Sequence, residues 1–101
     1  MIDLAGSLEQ ATLDQLRSTL GLSKAGRLGD DWDELFGEAK RTVAGASANV
    51  ELWRDVDSHR WRLDIELVAD PAESDVQSLL TVLRAEVEAT GVQIASVSHR
   101  R

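Results

Sequence analysis

With 101 residues the chain has room for one domain, and 43% hydrophobic with 29% charged residues is the balance of a folding protein rather than a disordered one. The absence of cysteine excludes a disulfide framework, thiolate metal sites and thiol chemistry, and the formal charge of −7, from 18 acidic and 11 basic residues, opposes phosphate backbones and anionic membrane surfaces. No apolar run approaches the roughly 20 residues that span a bilayer, and the opening Met1-Ile2-Asp3-Leu4-Ala5-Gly6 lacks the features of an export signal, so a cytoplasmic location is expected.

Leu13, Leu16 and Leu20 recur at i, i+3 and i+7, which predicts a first helix over Leu8 to Leu20. Ser7 with Gln10, or Thr12 with Gln15, has capping-box spacing, and Gly21 fits a helix stop. Gly26 and Gly29 mark a loop. A second helix is expected from Asp30 or Asp31, because Trp32, Leu35, Phe36, Ala39 and Val43 fall at i, i+3, i+4, i+7 and i+11. Asp33 and Glu34 suit its start and Lys40 and Arg41 its end.

Two strands should follow. Val50 and Leu52 alternate with Glu51, Trp53 and Asp55 over Asn49 to Asp55, and Trp61, Leu63, Ile65 and Leu67 alternate with charges over Arg60 to Leu67. The turn-like Asp55-Val56-Asp57-Ser58 joins them as a hairpin. Asp70-Pro71-Ala72-Glu73 reads as cap, first helical position and capping box, opening a third helix on Val76, Leu79, Leu80, Leu83 and Val87 that Gly91 closes. Val92 to Val97 forms a last short strand. The expected fold is a single α+β domain over residues 1–101, with a helical part over about 7–44 and a ββαβ part over about 48–98. Its order is α-α-β-β-α-β, a two-layer α/β sandwich with a three-stranded mixed sheet and the helices on one face.

Catalytic and metal chemistry find little support in the residue pattern. His59 sits at the hairpin turn near Asp55 and Asp57, which suits turn geometry, and His99 adjoins Arg100 and Arg101. Asp30, Asp31, Asp33 and Glu34 lack the alternate-residue ligand spacing of a calcium loop, and helix capping accounts for them. No glycine pattern matches a phosphate loop. No cofactor is expected.

Thr12-Leu13-Asp14-Gln15-Leu16-Arg17-Ser18-Thr19-Leu20-Gly21-Leu22-Ser23-Lys24 resembles the first helix and turn of the helix-turn-helix DNA-binding family. That resemblance implies a recognition helix beginning at about Ser23 and a DNA-binding regulator as an alternative function. Gly26 and Gly29 interrupt the place where such a helix should run, and the acids that follow repel phosphates.

Surface features remain. On the outward sheet face Trp53 is expected across from Arg60 or Arg62, a cation–π pair or a binding anchor. The expectation is a non-catalytic protein-binding module of the acidic inhibitor, immunity or antitoxin type, with a basic protein as partner. Its binding residues are Trp53, Arg60 and Arg62, with Asp30, Asp31, Asp33 and Glu34 as a second patch. The first strand, as a sheet edge, offers pairing with a partner or a second copy. A small ligand-binding domain or enzyme with a pocket invisible in sequence is the third alternative.

Overall fold

The computed structural model of this chain describes residues 1–97 apart from Ser7, Asp30, Asp31 and Asp33. Its elements are β1 (Ile2–Leu4), α1 (Gln10–Leu20), β2 (Leu35–Val43), β3 (Ala46–Arg54), β4 (Trp61–Val68), α2 (Glu73–Ala89) and β5 (Ile94–Val97). The strands form one sheet in the order β2-β3-β4-β1-β5, every neighbouring pair antiparallel. The expected three-stranded mixed sheet under three helices is thus corrected to a five-stranded antiparallel sheet with two helices, while the class remains α+β. Because β4 and β5 each run antiparallel to β1, they are parallel to one another, and the crossover through α2 skips the strand between them.

The segment expected as a second helix is β2. Its helical spacing is an accident of a bulge: Leu35 faces Trp53 and Gly37 faces Leu52, leaving Phe36 as an extra residue. Beyond the bulge the strand alternates, with Ala39, Arg41 and Val43 opposite the inward Val50, Ala48 and Ala46. The inward charge Arg41 disguised that alternation. Ala44-Gly45 is the two-residue turn between β2 and β3, so β3 begins at Ala46, three residues earlier than expected. β1 escaped notice because three residues carry too short a pattern, yet Ile2 and Leu4 are buried in the middle of the sheet.

Both helices contribute to one core with the inward residues of the sheet. Leu13, Leu16 and Leu20 of α1 and Leu79, Leu83 and Val87 of α2 join Ile2, Val50, Leu52 and Leu63, all at most 1% exposed. Gly21, at φ 72°, ends α1 as expected; the Gly21 N–H donates to the Ser18 carbonyl and the Leu22 N–H to the Arg17 carbonyl. The start of α2 differs from expectation. Its N-cap is Ala72 rather than Asp70, with no side-chain cap, and Glu73 accepts a hydrogen bond from Gln77.

Two buried arginines position the connection between α1 and β2. Arg17, 5% exposed, donates to the carbonyls of Ala25 and Phe36 and pairs with Asp14 at 2.9 Å. Arg54, 6% exposed, donates to the Leu28 carbonyl and lays its guanidinium 4.7 Å from the Phe36 ring centroid and 5.7 Å from that of Trp61. The backbone N–H of Ser23 then donates to the Glu38 carbonyl, and the Glu38 N–H to the Ser23 hydroxyl. This segment therefore covers the first half of the outer edge of β2.

Candidate functional site

The sheet face turned away from the helices carries the polar residues of each strand, and the pairing registers align them in rows. One row crosses the whole sheet through Leu35, Trp53, Arg62, Asp3 and Ser96. Trp53 and Arg62 are direct cross-strand neighbours, with the Arg62 guanidinium 5.7 Å from the indole centroid. Asp64, two residues along β4, accepts from the same guanidinium at 3.2 Å, which holds it in place over the ring. Trp53 is half-buried, and its Nε1–H is buried without an acceptor, a state that costs about 1–3 kcal/mol.

Of the residues expected at this face, the structure brings Trp53 and Arg62 together. Arg60 lies in the exposed β3–β4 connection, one row beyond, where it borders an open hollow of about 530 Å³ with Asp3, Asp55, Ser58 and Arg62. The Asp55 carboxylate accepts from the backbone N–H groups of Asp57 and Ser58, which hold its pKa below the ordinary 3.8. That carboxylate shapes the turn and does not orient His59, whose φ of 57° marks a turn residue. His99 lies outside the described residues.

The second expected patch is only partly in view. Asp30, Asp31 and Asp33 lie outside the described residues; Glu34 is exposed, and its carbonyl accepts from the Arg54 N–H just before β2 begins. These residues were expected to cap a helix, and Glu34 instead leads into a strand.

Trp32 was missed. Helical spacing assigned it to the core, but it is 84% exposed, three residues from the Leu35 that faces Trp53. Only the adjoining acids at 31 and 33 hinted in the sequence that this tryptophan sits in water.

Beyond the tryptophan row the face is acidic. Ser23, Glu38, Lys40, Asn49, Glu51 and Glu66 border a shallow depression of about 480 Å³. Three carboxylates against one ammonium give it a negative potential. Among the described residues no three His, Asp or Glu side chains converge as metal ligands, and no helix is long and apolar enough to cross a membrane. No protein-family model matches the chain, and no curated protein or solved structure matches it significantly.

Proposed function

We propose that this chain is a non-catalytic protein-binding module of the acidic inhibitor, immunity or antitoxin type. It takes a basic partner on the outer sheet face, with Trp53 and Arg62 at the centre and Trp32 at the rim. The observation that carries the reading is the Trp53–Arg62 pair on an acidic face, with the exposed Trp32 three residues before Leu35 in sequence. A tryptophan buries about 150–250 Å² when covered and is enriched among the residues that dominate interface energies. The surrounding carboxylates accelerate encounter with a cationic surface. The DNA-binding alternative needs a helix after Gly21, and residues 22–29 form none.

Affinity capture of the tagged chain from lysate of its own host tests this, with protein and nucleic acid both identified. A stoichiometric protein that is lost on Trp32→Ala and on Trp53→Ala is the expected result. Recovery of the same protein with both variants removes this face from the assignment, and recovery of specific DNA replaces the reading altogether.

A further inference from the structure

Ala44 and Gly45 alone join β2 to β3, and the register from Gly37↔Leu52 to Val43↔Ala46 runs up to them without a break. Two-residue hairpin turns favour Gly, Asn or Asp where φ is positive. Here that conformation falls on Ala44, at φ 54°, rather than on Gly45. In the left-handed region an alanine crowds its Cβ against the following carbonyl oxygen. The strain therefore sits on a short hinge.

The hinge separates two blocks. Before it, Arg17 of α1 donates to the Phe36 carbonyl, Ser23 and Glu38 exchange two hydrogen bonds, and Arg41 donates to the Leu20 carbonyl, so α1, the covering segment and β2 hold together. This block is joined to the rest by β1 between β4 and β5, by the β2–β3 ladder and by the Arg41–Glu86 pair. None of those contacts requires both blocks to come from one copy.

We propose that the chain forms an exchanged dimer, in which residues 1–43 of each copy dock onto residues 46–97 of the other and Ala44-Gly45 straightens. A short hinge under strain favours such an exchange. The register selects a second copy as the occupant. Continued past Val43↔Ala46, it sets Ala44 of one copy opposite Gly45 of the other, with a two-fold axis between them. Residues 35–54 then form one continuous strand antiparallel to its equivalent. Every native ladder is kept, both alanines become extended, and the hinge amides join the ladder. His59 and Ala69 also take positive φ, but they lie in longer connections, over 55–60 and 69–72, and Asp55 ties the first of these.

Thr42 and Ser47 face each other across β2 and β3 with their hydroxyls 2.9 Å apart, within reach of a disulfide, and the chain has no cysteine of its own. The full-length Thr42→Cys/Ser47→Cys double variant, refolded at high concentration and oxidised, should run at twice 11.1 kDa on a non-reducing denaturing gel, because each bond then joins two copies. Either single variant should stay at the monomer mass, since equivalent residues lie about 17 Å apart along the exchanged ribbon. Sedimentation of the unmodified chain after the same refolding should show a dimer. Ala44→Gly, which relieves the closed turn, should raise its dissociation constant by about tenfold. An unmodified chain that stays monomeric at every concentration overturns the proposal. So does a dimer whose double variant links only within single chains, which would be a surface contact, and so does a dissociation constant that Ala44→Gly leaves unchanged. None of these readouts depends on a partner at Trp53.

Discussion

A Cβ added at Gly37 would lie 2.5 Å from the Ser23 carbonyl oxygen and 3.0 Å from the Leu22 Cβ, so the segment covering β2 leaves room there for hydrogen alone. Gly37→Ala should lower stability by about 1–3 kcal/mol, read as a lower midpoint in denaturant. Ala44 poses the opposite case. At φ 54° it occupies the left-handed region without being glycine, and Ala44→Gly should stabilise the β2–β3 turn by up to about 1 kcal/mol. Asp55 sets an acid limit on the β3–β4 turn. Its folded pKa is lowered, so its contribution is complete above the ordinary 3.8 and fades as pH falls through the folded value. A titration followed by NMR should give Asp55 a midpoint below 3.8, and Asp55→Asn should bring the pH dependence of that turn down. Trp32→Ala and Trp53→Ala differ in what they test. The first should leave the thermal midpoint nearly unchanged because the ring is 84% exposed, while the second also removes packing against Leu35 and Arg62. Alternation around Trp53 and Arg62 made that pair legible, whereas Trp32 could not be placed, because its side depended on whether the segment coils or extends.

Among elements, β2 depends on one contact more than on its own pattern. Arg41 forms a bidentate pair with Glu86 of α2, both contacts at 2.8 Å, and also donates to the Leu20 carbonyl at the end of α1. One guanidinium thus ties strand and both helices together, and Glu86 raises its pKa. A double-mutant cycle with Arg41→Met and Glu86→Gln should give a coupling of about 1–2 kcal/mol by thermal or denaturant unfolding. Independence of the two substitutions would show that solvent competes the pair away. The same contact explains why β2 was unreadable in one dimension. An inward arginine breaks the apolar alternation, and its partner lies 45 residues away. β4 has no such inward charge, and its alternation of Trp61, Leu63, Ile65 and Leu67 identified it at once.

Across the whole molecule, the acidic outer sheet face is the surface on which the proposed partner would act. Complex formation should weaken on raising salt from 0.05 to 0.5 M if the acidic face steers it, and an unchanged association rate in a kinetic binding assay would remove electrostatics from the account.

The residue pattern by itself determined that the chain folds as an α+β domain without disulfides, the position and stop of α1, the hairpin of β3 and β4 and the apolar stripe of α2, and it narrowed the partner of Trp53 to Arg60 or Arg62. Each of these rests on periodicity or turn chemistry contained within about 20 residues. Tertiary structure alone decided that Leu35–Val43 extends rather than coils, because Phe36 bulges into the core and Arg41 finds Glu86 across the layer. It alone placed Ile2–Leu4 between β4 and β5, where burial on both sides gives three residues a stability that their local sequence does not supply. A strand of three residues pairs with only part of a strand of eight.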